Sequence, residues 1–234
     1  MQRFFDLWVA IFALFFLSPL LFLIALCLRF SGEGEIFYRQ ERIGYKREKF
    51  KVFKFATMVK NSPSIGSGTL TMANDPRVLP LGKVLRKTKV NELPQLLNIL
   101  FGDLSLVGPR PLVPEGENYY GRKNSEIIRS VRPGITGIGS LVLRNEEAYY
   151  AHRSDAHDFY ENIISPYKFT LEKWYIERRS FFLDLKIIIL TAVAIAWPNF
   201  SPWRFFLDLP RIPEEMIEPK VYPEASRCNN LNLD

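Results

Sequence analysis

Residues 87–111 read KTKVNELPQLLNILFGDLSLVGPRP and form the most informative segment of the chain. Pro94 suits the first turn of a helix, where a missing backbone N–H has little effect. The leucines around it recur at helical spacing and define one apolar face, namely Leu93, Leu96, Leu97 and Leu100. Gly102 is typical of a helix C-cap. The segment therefore predicts a short helix that follows a basic turn and precedes a rigid Gly-Pro-Arg-Pro corner.

Candidate chemistry lies at both ends of this segment. Glu92 is a carboxylate among lysines and arginines, so we expect it to stay ionised and to be able to bind a divalent metal or act as a base. A solvated surface acid is the alternative. Arg110 lies between two prolines and loses little entropy when it engages a phosphate, and Arg132 in Val-Arg-Pro-Gly has the same build. This pattern indicates phosphate binding.

The composition favours anionic small molecules or lipids over nucleic acid as partners. The chain has 234 residues, with 31 Lys and Arg against 25 Asp and Glu and a formal net charge of +6. A positive excess suits contact with nucleotide phosphate or anionic lipid. We expect no nucleic-acid partner, because no zinc-finger, RNP-type or basic-helix pattern is present. Cys27 lies in an apolar run and Cys228 in a polar segment, so a disulfide framework is not expected.

Residues 7–28 carry no charge and predict a membrane helix. At about 1.5 Å rise per residue the run is long enough to cross a hydrocarbon core of about 30 Å. Ser18-Pro19 lies near its midpoint, where proline kinks or breaks a helix and the serine hydroxyl can satisfy the freed carbonyl. Arg3 precedes the run and Arg29 follows it, so positive charge lies on both sides. Two alternatives are open: a re-entrant helix-break-helix and a kinked transmembrane span.

The rest of the chain predicts an α+β fold, a small helical domain with a short β-hairpin. Alternating residues at 36–44 and 49–58 predict its two strands, and residues 148–174 have a helical pattern. The apolar patch at 181–209 is either a buried helix or one lying in the membrane interface. The tail after Pro210 is expected to be poorly ordered. The predicted parts are a membrane helix at 1–30, a membrane-associated catalytic domain at 31–209 and a tail at 210–234.

Taken together, the motifs identify a family. With its Ser-Pro-containing apolar run, the chain resembles the monotopic phosphoglycosyl transferases through KFATM, NDPRVLPLGKVLRKTK, NELPQLLNIL, GDLSLVGPRPL, VRPGITG and SFFLDLKIIILTA, over roughly residues 3–192. The resemblance implies transfer of a sugar 1-phosphate from a nucleotide diphosphosugar to polyprenyl (undecaprenyl) phosphate, with Mg²⁺ as cofactor. It also implies contact with membrane lipid at the cytoplasmic face of a bacterial inner membrane. The family's membrane helix is re-entrant and broken at Ser-Pro, which favours that alternative for Ser18 and Pro19.

The same resemblance assigns roles to individual residues. The family has an Asp-Glu pair where this chain has Asn91-Glu92; the aspartate is the nucleophile, and the glutamate assists with metal or proton. Glu92 matches, but a neutral carboxamide at position 91 is a far poorer nucleophile and adds no charge to a metal site. Substrate or phosphate contacts are implied for Arg110 and Arg132, and Lys54 and Arg144 are further candidates. The match is incomplete around both: Ala56 replaces a basic residue that the family usually has, and the usual glycine before Arg144 is missing.

Asn91 leaves three readings open. The first is an active transferase with Mg²⁺ at Glu92. The second is a catalytically silent relative that binds polyprenyl phosphate or a partner enzyme. The third is transfer by a changed route, in which Glu92 itself attacks or the lipid phosphate displaces directly. A substitution introduced into a natural Asp-Glu pair would leave the same sequence, and a homo-oligomer also stays open.

Overall fold

The computed structural model describes residues 2–65, 75–114, 120–150, 153–197 and 199–216. Its α-helices are α1 (Gln2–Arg29), α2 (Pro80–Lys87), α3 (Leu96–Phe101), α4 (Gly121–Ile128), α5 (Ile138–Val142), α6 (Glu147–Tyr150), α7 (Ala156–Phe159), α8 (Ser165–Arg178) and α9 (Phe181–Ala196). Its strands are β1 (Phe37–Ile43), β2 (Lys49–Phe55), β3 (Ser105–Val107) and β4 (Gly134–Thr136). Short 3₁₀ turns and one π turn connect some of them. The predicted α+β class, mostly helical with a small antiparallel sheet, is confirmed.

The predicted hairpin is present as the antiparallel pair β1 and β2, whose register runs from Phe37 opposite Phe55 to Ile43 opposite Lys49. The side chain of Asn98 on α3 attaches this hairpin to the helix. Its Oδ1 accepts the Phe53 backbone N–H at 2.9 Å, and its Nδ2 donates to the Lys51 carbonyl at 2.9 Å. Because both bonds are largely shielded from water, they fix the middle of α3 relative to the middle of β2.

The segment before α3 differs in detail from the prediction. Residues Val90–Gln95 form a 3₁₀ helix that contains Pro94, and the α-helix begins only at Leu96. The residues on its buried side include Asn98 and Ile99, so the inward face is wider and more polar than the leucine stripe suggested. Gly102 ends the helix with φ +94°, the left-handed conformation predicted for the C-cap.

A second, parallel pair was not predicted. β3 follows α3 and pairs with β4, which lies in the stretch Val-Arg-Pro-Gly-Ile-Thr that has the composition of a loop. The pair depends on close backbone approach: a Cβ on Gly134 would lie 2.1 Å from the backbone nitrogen of Gly108. Only glycine allows this approach, and as a result the Gly-Pro-Arg-Pro and Val-Arg-Pro-Gly corners lie side by side.

The main core is formed by α5, α8, α9 and the chain that follows them, and its fully buried residues include Ile138, Leu171, Tyr175 and Ile187. Helix α9 is apolar on both faces: Ile187 and Leu190 are buried, whereas Phe182 and Ile189 are exposed. The helix therefore joins the core and still presents an apolar outer face. The interfacial location proposed for this patch stays a prediction.

The chain after Pro210 also enters the core. The Tyr167 hydroxyl donates to the Pro210 carbonyl at 3.1 Å, and Met216 is buried in the main cluster. Residues 210–216 are therefore packed, in contrast to the poorly ordered tail that their composition predicts. The remainder of that predicted tail, residues 217–234, lies outside the described residues.

Helix α1 continues through Pro19 without interruption. The Ser18 hydroxyl donates to the Phe15 carbonyl at 2.8 Å, which is the carbonyl that proline leaves without its usual N–H partner. This bond is the compensation that the sequence predicts for Ser-Pro. Among the described residues α1 alone is long and apolar enough to cross a membrane, judged by length and composition.

Both halves of α1 pack on the same domain, and exposed aromatic side chains lie between them around the Ser-Pro step. Near the N-terminus, Arg3 donates to the Ile99 carbonyl at 2.6 Å and Ala10 is buried against α3. Near the C-terminus, Leu28 packs with Phe55 of β2 and with α2. The aromatic side chains around the Ser-Pro step, such as Phe15, are exposed. The helix break predicted at Ser18 and Pro19 is not seen in this continuous helix, and the re-entrant arrangement stays a prediction.

Candidate functional site

A cavity of about 840 Å³ lies between the hairpin, the 3₁₀ turn before α3, the Gly-Pro-Arg-Pro corner and helices α5, α8 and α9. Most of the catalytic and binding residues predicted from the sequence line this cavity, namely Asn91, Glu92, Lys54, Arg110 and Arg144. The exception is Arg132. The fold thus brings together motif residues that lie as far apart in the chain as Lys54 and Arg144.

Glu92 is the negative group at the centre of the predicted set. Its Oε1 accepts a hydrogen bond from Lys54 Nζ at 2.7 Å and lies 4.0 Å from Arg110 Nη2. Burial alone would raise the pKa of Glu92, but Lys54, Arg110 and Lys89 outweigh burial and hold that pKa well below its usual range. Glu92 is therefore a carboxylate at every physiological pH, tied to a lysine rather than solvated at the surface.

Lys54 lies one residue before the end of β2 and faces the same cavity. Burial lowers the pKa of its ammonium group to about 8, aided by Arg110 and Arg42 and opposed by Glu92. The ion pair with Glu92 is what keeps the lysine protonated in this desolvated position. Without that carboxylate the positive charge of Lys54 would be strongly disfavoured.

Arg42, at the end of β1, is a member of this group that the motifs did not identify. Its Nη1 donates to the Pro111 carbonyl at 2.9 Å and its Nη2 to Gln40 Oε1 at 2.5 Å. Burial and the nearby Arg110 lower the pKa of Arg42 to about 10. The signal that could have found it is the period of two in β1, because Tyr38, Gln40 and Arg42 all line the cavity.

The Arg110 backbone is fixed by long-range bonds around the glycines of its corner. Gly134 donates its N–H to the Pro109 carbonyl at 3.0 Å, and the Arg110 N–H donates to Glu172 Oε1 at 3.3 Å. Burial would lower the pKa of Arg110, but Glu92 and Glu146 outweigh it and raise that pKa. Its guanidinium thus lies between two acidic groups, one on each wall of the cavity.

The wall opposite Glu92 carries charged residues that sequence reasoning missed. Lys168 forms an ion pair with Glu146, and its ammonium group lies 5.2 Å from the centre of the Tyr160 ring. Glu172, one helical turn after Lys168, is 3% exposed, and burial raises the pKa of its carboxyl to about 7. The signal in the sequence that could have found them is the spacing of Lys168 and Glu172, which lie four residues apart and therefore on the same face of an aromatic-rich helix.

Asn91 is 7% exposed and borders the cavity next to Glu92. Its Oδ1 has no hydrogen-bond partner among the described residues. A buried, neutral carboxamide oxygen lacks the charge and the nucleophilicity that a carboxylate would bring to this position. The chemistry of the site must therefore use Glu92 or the bound substrates.

The two remaining predicted arginines contact groups other than Glu92, one inside the cavity and one outside it. Arg144 lines the cavity and donates through Nη1 to the Ala194 carbonyl on α9. Arg132 is exposed; its Nε donates to the Gly102 carbonyl at 3.1 Å, and its guanidinium lies 5.3 Å from the centre of the Tyr45 ring. Arg132 therefore contacts the C-terminal end of α3, and its phosphate contact stays a prediction without support from the cavity.

The Mg²⁺ ion implied by the resemblance does not fit this donor set well. Mg²⁺ is usually held by one or two carboxylates together with substrate phosphates. Here Glu92 has Lys54 as its direct partner, and its neighbour in the chain is the neutral Asn91. No group of three or more His, Cys, Asp or Glu side chains suited to a metal occurs within the described ranges.

Known proteins match this chain over most of its length. A family model described as bacterial sugar transferase matches residues 1–198. The exopolysaccharide production protein ExoY of Sinorhizobium fredii is 35% identical over 208 residues, which cover 83% of this chain and 84% of that protein. An uncharacterized sugar transferase of Bacillus subtilis, EpsL, is 36% identical over 191 residues, with 82% and 85% covered.

A longer relative carries a more specific name. The UDP-glucose:undecaprenyl-phosphate glucose-1-phosphate transferase of Escherichia coli is 36% identical over 190 residues. The match covers 80% of this chain but 38% of that protein. The residues matched by the family model, 1–198, include all the residues that line the cavity.

Proposed function

The chain belongs to the bacterial sugar transferase family and is an enzyme of the phosphoglycosyl transferase kind, and we propose that it moves a sugar 1-phosphate from a nucleotide diphosphosugar to undecaprenyl phosphate. In this reaction the bond between the bridging oxygen and the sugar-bearing phosphorus breaks, and a nucleoside monophosphate leaves with the electron pair. An oxygen of the acceptor phosphate forms the new bond to that phosphorus. The product is an undecaprenyl diphosphosugar.

The observation that carries this proposal is the position of Glu92 between Lys54 and Arg110 on the cavity wall. The donor brings a diphosphate, and the acceptor brings a further phosphate. Guanidinium and ammonium groups held by fixed backbone can neutralise these charges as negative charge shifts to the leaving phosphate. A surface acid with solvated lysines would offer no such preorganised set.

Two routes are compatible with Asn91. In the first, the Glu92 carboxylate attacks the sugar-bearing phosphorus and forms an acyl phosphate, which the lipid phosphate then attacks. In the second, the lipid phosphate attacks the donor directly, and Glu92 keeps Lys54 charged and in place. The ion pair of Glu92 with Lys54 favours the second route, because one carboxylate oxygen is already engaged.

The second candidate function is binding without transfer. Asn91 favours it, since the position where the family carries its nucleophile is a neutral amide here. The cationic cavity would then hold polyprenyl phosphate, or a nucleotide diphosphosugar, for a partner enzyme. This candidate predicts ligand binding with no turnover.

Release of nucleoside monophosphate separates these candidates. The purified protein is incubated with undecaprenyl phosphate and a panel of nucleotide sugars that includes UDP-glucose, and is compared with Asn91→Asp and Glu92→Gln. Activity in the wild type that disappears in Glu92→Gln supports transfer by a changed route. Activity in Asn91→Asp alone supports the binding role. A phosphosugar adduct on the wild-type protein, detected by mass spectrometry, would rule out direct displacement.

We also propose that α1 anchors the protein to the cytoplasmic face of the bacterial inner membrane as a re-entrant helix. Support comes from the packing of both halves of α1 on one domain and from the exposed aromatic side chains around its Ser-Pro step. Phe4 and Phe30 are both exposed, so Phe4→Cys and Phe30→Cys in a cysteine-free background report the two ends. Labelling of both from the cytoplasmic side is expected, and labelling from opposite sides would establish a transmembrane span.

A further inference from the structure

Several positively charged side chains surround the single carboxylate of Glu92. Lys54 contacts the carboxylate directly, Arg110 lies 4.0 Å away, and Arg42 acts on the same pair from the end of β1. Lys89 contributes a further positive charge from the turn before Val90. Against these four cations, Glu92 is the acidic side chain that lies within ion-pair distance of Lys54 and Arg110, while Glu146 and Glu172 act on Arg110 from the opposite wall. A ligand entering this end therefore meets a net positive surface.

Such a surface is suited to a diphosphate and poorly suited to a divalent cation. Mg²⁺ bound to Glu92 would have to share the carboxylate with Lys54, which already donates to Oε1, and would lie close to Arg110. A second carboxylate would offset these positive charges, but position 91 supplies only an uncharged amide oxygen. The electrostatic repulsion is severe because the groups are desolvated, where charges interact more strongly than in water.

The cationic groups are also held in place before any ligand arrives. Arg42 is bonded to the Pro111 carbonyl, and the Arg110 backbone is bonded to Glu172. Lys54 is held by Glu92 at 2.7 Å. Guanidinium groups bind phosphate oxygens through two parallel N–H donors, and a fixed backbone reduces the entropy lost on binding.

We infer that this chain binds the diphosphate of its donor through Lys54, Arg42 and Arg110 without a divalent metal ion, and that Glu92 positions these cations instead of ligating a metal. The inference rests on the proposed donor class, a nucleotide diphosphosugar. Asn91 then has two consequences: the chain lacks a nucleophile at this position, and it also lacks the second carboxylate that a metal would need.

Isothermal titration calorimetry on the full-length protein in detergent tests this directly, with UDP and UDP-glucose as probes in buffer containing either EDTA or Mg²⁺. The wild type is expected to bind in EDTA with a Kd within about threefold of that in Mg²⁺, because no contact depends on the metal. Asn91→Asp is expected to bind about tenfold more tightly in Mg²⁺ than in EDTA, because it gains the second carboxylate.

A matched pair of lysine variants identifies the groups that bind the diphosphate. Lys54→Gln is expected to weaken binding in EDTA by about tenfold or more, as a direct phosphate contact is lost. Lys49→Gln removes a lysine from the other end of β2, where its ammonium group pairs with Glu41 at the surface, and is expected to leave binding unchanged. Equal melting temperatures for the two variants would exclude a folding defect as the cause.

Metal binding is measured separately with Mn²⁺ alone by electron paramagnetic resonance. No bound Mn²⁺ is expected in the wild type, and a bound signal is expected in Asn91→Asp. Wild-type nucleotide binding that occurs in Mg²⁺ and is lost in EDTA would overturn the inference and leave the proposed function intact. An absence of binding in both buffers, for every nucleotide sugar tried, would reject the proposed donor class and the inference with it.

Discussion

Arg110 and Arg132 lie in corners of the same local build, Gly-Pro-Arg-Pro and Val-Arg-Pro-Gly, and yet the two side chains have different surroundings. Arg110 faces the cavity between Glu92 and the acidic groups of the opposite wall. Arg132 is exposed and engages the Gly102 carbonyl and the Tyr45 ring. The pairing of β3 with β4 brings the two corners together and directs the arginines to different places. The prolines of such a corner therefore predict a fixed arginine backbone, but they do not predict which group the guanidinium contacts.

The largest effect is expected at the group that distinguishes the Arg110 side, the Glu92 carboxylate. Glu92→Gln removes the negative charge that keeps Lys54 protonated and in place, so turnover is expected to fall by about 10³-fold. Nucleoside monophosphate release measures this loss. Glu41→Gln, which alters an exposed ion pair of the hairpin, is the matched control and should retain wild-type turnover. Comparable losses in the two variants would argue against a special role for Glu92.

Exchange of each arginine for lysine tests the comparison itself. Arg110→Lys keeps the charge and loses the two parallel donors, and it is expected to reduce kcat/KM by about 10²-fold. Arg132→Lys is expected to stay within about twofold of the wild type, because its partners are a carbonyl and an aromatic ring. Steady-state kinetics with varied nucleotide sugar measures both. A large loss in Arg132→Lys would restore the phosphate role that the sequence suggested.

Glu172 connects the Arg110 corner to α8 and makes stability depend on pH. Its folded pKa of about 7 is above the usual 4.5, so its contribution is present below about pH 4.5 and is lost as pH rises through 7. Glu172→Gln keeps an acceptor for the Arg110 N–H and carries no charge. The wild type should lose stability as the pH rises, and the variant should not. The unfolding free energy of the variant minus that of the wild type is therefore expected to increase by about 2 kcal/mol from pH 5 to pH 8. Thermal unfolding across that range checks the prediction, and parallel curves would contradict it.

The smallest effect is expected on the Arg132 side. Arg132→Ala removes the hydrogen bond to Gly102 and the contact with Tyr45, both at an exposed position. A loss of about 1 kcal/mol in unfolding free energy is expected, with little change in donor binding. Thermal unfolding and calorimetry on the same sample separate these two quantities. Tyr45→Leu should give part of the same stability loss, which would assign that part to the ring contact.

Local patterns predicted several structural elements correctly. Strand alternation predicted the hairpin, Gly102 predicted the end of α3, and the Ser18-Pro19 step predicted the bond between the serine hydroxyl and the Phe15 carbonyl. These features depend on residues close together in the chain. Motifs rather than periodicity singled out Lys54, Glu92 and Arg110; all three line the cavity, and their roles stay predictions.

The features that were missed depend on long-range contacts. The β3–β4 pair joins residues separated by α4 and needs Gly108 and Gly134 to meet, which no local pattern indicates. Glu172 and Lys168 have the appearance of an exposed helical pair, and only the packing of α8 buries them. Met216 is likewise buried because the chain after Pro210 returns to the core.

The sequence alone therefore determined the family, the hairpin, the apolar helix and the charges available at Glu92, Lys54 and Arg110, and it placed a neutral amide at position 91. The tertiary structure decided which of those charges meet. It added Arg42 and Glu172 to the cavity, left Arg132 outside it, and paired Glu92 with an ammonium group. The physical reason is that spacing along the chain sets local conformation, whereas backbone pairing and burial between distant segments determine the neighbours of each charge and hence its chemistry.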